Sequence, residues 1–233
     1  MATPKKPTGQ LNTWDEQLAA EAKIASAAEA AGAERVFINF NKGLSVGDVA
    51  QADNQMPLIL LDAIFVNTYY TKAWDPKAEA EAPACFAMGR PTPDGKGMVG
   101  IDTKDGSDVF GPHKDCTDPQ AKDCASCKWN QFGTARQGKG KACQNTRRFA
   151  AVAVGTFNDG RFQAFKTGDQ IASQPMLFGK LSPTNLKSYP AYTKAVASVL
   201  ERPPYGVFTT LRWEQDTANQ YSIKFEALGK VTD

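Results

Sequence analysis

The sequence predicts a β-rich α+β domain interrupted by a small insert, and three observations carry that expectation. Short runs of alternating apolar, β-branched and aromatic residues recur along the chain, divided by turns rich in Gly, Pro and Asp. Only two stretches have the composition and end signals of helices. Four of the five cysteines, Cys116, Cys124, Cys127 and Cys143, fall within 28 residues, while Cys85 stands apart. At 233 residues the chain is long enough for one large domain with its own core. The expected division is an N-terminal tail and helix over 1–34 and a β-rich domain over 35–233, with the insert at about 110–148.

Taken in order, "TWDEQLAAEAKIASAAEAAGAER" reads as an Ala-rich helix, with Thr13 and Glu16 fitting a capping box and Gly32 offering a stop. "RVFINF" alternates as a half-buried strand does. "PLILLDAIFVNTYY" is one long strand or two short ones, "AWDPKAEAEAPA" a loop, and "PACFAMG" a further strand. Residues 89–118 are so rich in Gly, Pro and Asp that they need turns or an external organiser. "RRFAAVAVGTF" and "RFQAFKTG" flank Asp159-Gly160, the pair that a type I′ hairpin turn favours. "SPTNLKSYPAYTKAVASVLERPP" is the second helix, with Ser182 or Thr184 as its cap. Pro190 is expected to interrupt its early part, and Pro203-Pro204 to end it. "GVFTTLRWEQ" and "YSIKFEALGK" close the chain as two alternating runs.

Composition excludes several classes. The net charge is only +2, so any affinity for nucleic acid must come from local clustering. No apolar run is long enough to span a bilayer, and the start lacks the apolar segment of a secretory signal, so the expectation is a cytoplasmic protein without a membrane. Histidine occurs once, at His113, which argues against catalysis by a His pair. There is no nucleophile elbow and no paired acid motif. Asp102, Asp105 and Asp108 lack the spacing of an EF-hand loop. Gly133, Gly138 and Lys139 mimic a phosphate-binding loop, but Gly140 stands where that motif needs Ser or Thr. The chain is therefore expected not to be an enzyme.

Clustered thiols in a reducing compartment point to metal ligation. The pattern Cys116-x7-Cys124-x2-Cys127-x15-Cys143 contains one tight C-x2-C turn, on which two thiolates meet one ion. Zinc with four cysteines has no open position, so the expected role is structural. His113 is an alternative ligand in place of Cys116, and an iron–sulfur cluster is the alternative cofactor.

Between Lys128 and Arg148 lie six basic residues, Lys128, Arg136, Lys139, Lys141, Arg147 and Arg148, and no acid. Trp129 and Phe132 sit among them. Cations neutralise phosphates and aromatic faces stack on unpaired bases of any identity, which is what sequence-tolerant binding of a single strand needs. Tyr69, Tyr70 and Trp74 in "NTYYTKAW" are further stacking candidates.

These residues carry a resemblance. "NTYYTKAWDP…APACFAMG", "DCASCKWNQFGTARQGKGKACQNTRR", "LSPTNLKSYPAYTKAV" and "PPYGVFTTLRW…YSIKFEALG" together resemble phage-type single-stranded DNA-binding proteins, across most of residues 55–230. The resemblance implies an OB-like barrel elaborated by helices, with a small four-cysteine zinc-binding insert. It also implies a viral protein of DNA replication or recombination acting in the cytoplasm of a bacterial host, with single-stranded DNA and replication proteins of phage or host as partners. Oligomers are compatible with it. Two departures stand out. The zinc site of the T-even phage members uses one His and three Cys at other spacings, and the acidic tail common in such proteins is replaced here by "FEALGKVTD". The alternative reading of the same basic loop is a phage-encoded module that grips an acidic surface on a host replication, transcription or defence protein.

Overall fold

The computed structural model describes residues 35–73, 77, 79, 81–92 and 94–231. The expected N-terminal helix and Trp74 lie outside the described residues. Twelve β-strands and two short α-helices are described. The strands are β1 (Val36–Asn39), β2 (Ser45–Val46), β3 (Val49–Ala50), β4 (Gln55–Tyr69), β5 (Cys85–Pro91), β6 (Met98–Ile101), β7 (Gln144–Ala153), β8 (Gly155–Asn158), β9 (Arg161–Ala164), β10 (Leu177–Leu181), β11 (Val207–Asp216) and β12 (Gln220–Lys230). The helices are α1 (Gly168–Ala172) and α2 (Ser188–Val199). The β-rich α+β class is as expected.

"QMPLILLDAIFVNTY" forms one strand of 15 residues, and its pattern of burial explains the unbroken apolar run. A β-bulge between Leu60 and Asp62 shifts its register against β7. Without it, alternation would turn Leu58 and Phe65 to opposite faces. With it, Met56, Leu58 and Leu60 before the bulge and Ala63 after it all pack into one core. The extra residue, Leu61, is left exposed.

Everything else hangs on β4. It pairs with β11 through residues 55–58, with β7 through 58–68 and with β5 through 65–69. The main sheet runs β12-β11-β4-β7-β10-β1-β2-β3, with β5 and β6 added beside the far end of β4, and it curls into half a barrel. β1 and β10 pair in parallel although 137 residues lie between the end of β1 at Asn39 and the start of β10 at Leu177; the other strand pairs are antiparallel.

Helix α2 closes the concave side. Tyr189, Tyr192 and Val196 are its buried residues, and both tyrosine rings pack on Phe225 of β12. The helix begins later than expected. Ser182 and Thr184 hydrogen-bond each other rather than capping it, and Pro183–Asn185 form a separate 3₁₀ turn. Pro190 falls in the first turn, where an amide has no intrahelical partner to lose, so it does not interrupt the helix. Asn185 is buried and its Oδ1 accepts from the Ile223 amide at 2.8 Å, which ties this corner to β12.

The Asp159-Gly160 hairpin is as expected: both residues have positive φ, 49° and 71°, and β8 and β9 pair across them. β10 was not expected. Its Gly179 lies across from Phe149, and a Cβ there would come within 2.1 Å of the Phe149 ring. The missing side chain is what lets the largest fully buried residue of the core lie flat on the sheet. Gly179→Ala should therefore cost about 1–3 kcal/mol through overpacking, read as a lower urea midpoint at unchanged slope; an unchanged midpoint would mean that the ring has room to move.

Candidate functional site

The cysteines gather where β5 leaves β4. Tyr69 pairs with Cys85 at the end of that ladder, and the long coil that follows β6 folds back over it. Backbone bonds fasten the coil: His113 N to Phe86 O at 2.8 Å, Asp118 N to Ala84 O at 3.0 Å, Cys124 N to Phe110 O at 2.8 Å, and Cys143 N to Trp129 O at 2.8 Å. All five thiols are free. Cys85, expected to stand apart, is in the cluster. With Cys124, Cys127 and Cys143 it lines a cavity of about 20 Å³, room for one water or one ion. Cys116 adjoins Cys85 instead of lining that cavity, and its Sγ lies 3.4 Å from Ala84 O.

Burial pushes the Cys85 thiol up to about 12, with Cys116 and Cys124 adding to the rise. Burial also raises Cys143 to about 12 and Cys124 to about 11, in each case reinforced by neighbouring cysteines. These groups resist ionisation next to one another unless a cation compensates them. Among the described residues, no three or more His, Cys, Asp or Glu side chains are already drawn together as a metal-binding group. His113, the alternative ligand, is engaged elsewhere. Its ring stacks on Phe86, its Nδ1 accepts from the Asp115 amide at 3.2 Å, and its Nε2 lies 3.9 Å from Asp102 Oδ2.

An amide relay joins this cluster to the basic loop. Asn67, on β4, accepts from Asn145 Nδ2 at 2.6 Å and bonds the Cys124 thiol. Asn145 also donates to Asn130 Oδ1 at 3.0 Å, and Lys141 Nζ reaches the same oxygen at 3.2 Å. The loop is thus anchored at its base. Thr134 pins its middle, donating to the carbonyls of Trp129 and Gln131 and accepting from the Ala142 amide. Its tip turns through Gly133 and Gly138, both at positive φ.

The stacking candidates divide. Tyr69 is buried, and Trp129 stacks on it at 5.1 Å while its Nε1 donates to Gln120 Oε1 at 2.9 Å. That pair holds the loop to the sheet, so Tyr69 is a packing residue rather than a surface one. Phe132 is the opposite case, 80% exposed, with Lys141 Nζ 5.2 Å from its ring centre. Tyr70 is exposed at the end of β4.

The basic candidates divide as well. Lys128, with its Nζ over the Trp129 ring, Arg136 and Lys139 are exposed. Arg147 and Arg148 are neighbours on β7 and so point to opposite faces of the sheet. Arg147 is buried, its guanidinium between the rings of Phe65 and Tyr189, which takes it off the surface where a phosphate contact was expected. Arg148 is exposed and lies directly across from Lys180 on β10. Burial first, and then the Arg148 charge, hold the Lys180 amine below its ordinary value. Like charges set opposite each other on a ladder are destabilising. None of Lys128, Arg136, Lys139, Lys141, Arg147, Arg148 or Lys180 makes an ion pair with a described residue.

Two aromatic residues missed by the sequence reading continue this face. Phe37 pairs with Phe178, and Phe178 with Ala150, two residues along from the Lys180–Arg148 pair. The Phe37 and Phe178 rings are 6.2 Å apart, and Phe37 is 54% exposed. The alternation in "VFINF" carried the signal for Phe37, since Ile38 and Phe40 turn inward. Compared with known proteins, the chain matches no family model, no curated protein and no solved structure. No helix among the described residues is long and apolar enough to cross a membrane.

Proposed function

We propose that this domain is a binding protein for single-stranded DNA, with an OB-like sheet and a zinc-ordered insert, and that it recognises the polyanion and the base faces rather than a sequence. One observation carries the reading: cations without an ion pair to a described residue stand with aromatic rings in two places, the exposed Phe132 with Lys141 over its ring on the loop that also carries Arg136 and Lys139, and the exposed Phe37 against the half-buried Phe178 on the sheet, in register with Arg148 and Lys180. Phosphates relieve the cross-strand repulsion of Arg148 and Lys180, and rings offer a platform to any base. Tyr70 extends the same chemistry. A role in phage replication or recombination, in a bacterial cytoplasm, follows from the resemblance in sequence.

Zinc suits the donor set of Cys124, Cys127 and Cys143 with Cys85 or Cys116 as the fourth thiolate. Bound there it would displace the protons that burial keeps on Cys85, Cys124 and Cys143 and hold their sulfurs as thiolates, and would fix the base of the loop through Asn67 and Asn145. It would be structural, because four thiolates leave no place for water. The purified chain is expected to contain one zinc per molecule by elemental analysis. Cys127→Ala should abolish it and collapse the protection of the loop amides against hydrogen exchange, while those of β4, β7 and β11 stay protected. Retention of the metal by that variant would remove Cys127 from the site.

The direct test of the function is fluorescence anisotropy of labelled oligo-dT against its duplex at two salt concentrations. The single strand should be preferred, with a log–log salt slope of ~−3 to −4, for about five phosphates. Phe132→Ala should weaken binding by about 1–3 kcal/mol with the slope unchanged, because it removes a stacking face and no charge. If neither nucleic acid binds at moderate salt, the single-strand reading fails and an acidic protein surface becomes the partner to seek.

A further inference from the structure

β4 has a gap on one edge. β11 covers residues 55–58 of that edge and β5 covers 65–69, so residues 59–64 face no described strand there. The gap opens into a cleft of about 380 Å³, whose walls include Leu60 and Leu61 of β4, Tyr189, Pro190 and Thr193 of α2, and Tyr205 just before β11. Among the described residues that line it, Arg147 is the one cation.

Arg147 is an anomaly there. It is 5% exposed, its guanidinium carbon lies 4.1 Å from the Phe65 ring centre and 4.3 Å from that of Tyr189, and its Nε has no hydrogen-bond partner. No described acid pairs with it. Arg212, whose Nε is also buried and unpartnered, at least has Glu226 3.4 Å from its Nη2. Asp62, at the rim of the cleft, is taken by Arg90 and by the Ala63 amide. A buried charge without a counter-charge is costly, and burial pulls the Arg147 guanidinium below its ordinary value. With rings over the guanidinium, what remains for a ligand is its edge, the fork that grips a phosphate or carboxylate through two parallel bonds.

We propose that this cleft takes a nucleotide-sized ligand, with one phosphate on the edge of Arg147 and the base against Tyr205. The volume falls within the range of small-molecule sites. One guanidinium fork binds two oxygens of either a phosphodiester or a terminal phosphate, and Tyr205 is 62% exposed, a ring at the mouth. The same phosphate chemistry has two sources, a nucleotide within a bound single strand and a free mononucleotide. In the first case the inference rests on the function proposed above; in the second it does not.

The test is calorimetric titration of the full-length protein with thymidine 5′-monophosphate, thymidine and oligo-dT, on wild type, Arg147→Met and Tyr205→Ala. Circular dichroism checks that each variant is folded, and the exposed Tyr205 serves if Arg147→Met does not fold. Thymidine without phosphate should not bind. Saturable binding of the monophosphate, weakened about tenfold or more in the variants, supports the site with a free nucleotide as ligand. No monophosphate binding, but oligo-dT affinity lowered by a similar factor in the folded variants, supports it with the bound strand as the source. If oligo-dT binds wild type and variants equally and the monophosphate does not bind, the cleft proposal fails while the single-strand reading stands. If the monophosphate binds through Arg147 and Tyr205 but oligo-dT does not bind at all, the single-strand reading fails and the cleft stands. If neither ligand binds wild type, both fail.

Discussion

The bulge at Leu61 is the constraint on which the rest of the molecule depends. A strand of 15 residues with unbroken alternation would put half its apolar side chains on the wrong face. One extra residue re-phases it, so that a single strand lines the core under α2 at one end and supports the cysteine-rich coil at the other. The same irregularity falls on the stretch of edge where neither β11 nor β5 pairs with β4, and that is where the cleft opens. The re-phased core and the cleft beside it both meet at this one local departure from regular geometry.

Charge is distributed with a similar economy. The chain is nearly neutral, yet its acids are not spread evenly. On β11 and β12, Arg212 is matched by Glu226 and Lys224 by Glu214. Asp102 and Asp115 attend His113 and Lys114, and Asp62 attends Arg90. This leaves the loop cations and the Arg148–Lys180 pair without counter-charges among the described residues. Under the function proposed above, that region is where an anion finds its counter-charges. The buried Arg147 belongs to a different compartment, reached through the cleft rather than across the exposed face.

What was legible in the sequence follows the range of the interactions concerned. The β11–β12 run, the Asp159-Gly160 turn and the long apolar strand are local patterns, and local patterns can be read. β10 could not be. It is five residues long with Gly179 at its centre, and its sense comes from Phe149 packing on that glycine and from a parallel partner at the start of the domain. The start of α2 was misjudged because Ser182 and Thr184 look like caps, whereas Asn185 next to them is committed to Ile223 across the fold. Cys85 seemed isolated because its place is set by the β4–β5 ladder, not by spacing to the other cysteines. Arg147 and Arg148 read as equivalent charges; only a strand assignment running through them separates one into the interior and leaves the other outside. Tyr69 and Trp129 looked like two stacking faces and turn out to stack on each other.

The claim at the centre of the account is that the unpaired cations and exposed rings form the surface for a single strand. The most direct measurement is an amide chemical-shift map of isotope-labelled protein titrated with oligo-dT. The account predicts that the largest changes fall on residues 132–141, on Arg148 and Lys180, and on Phe37 and Phe178, with β11 and β12 quiet where their charges are already paired. Changes confined to β11 and β12, or none at saturating oligonucleotide, would contradict it.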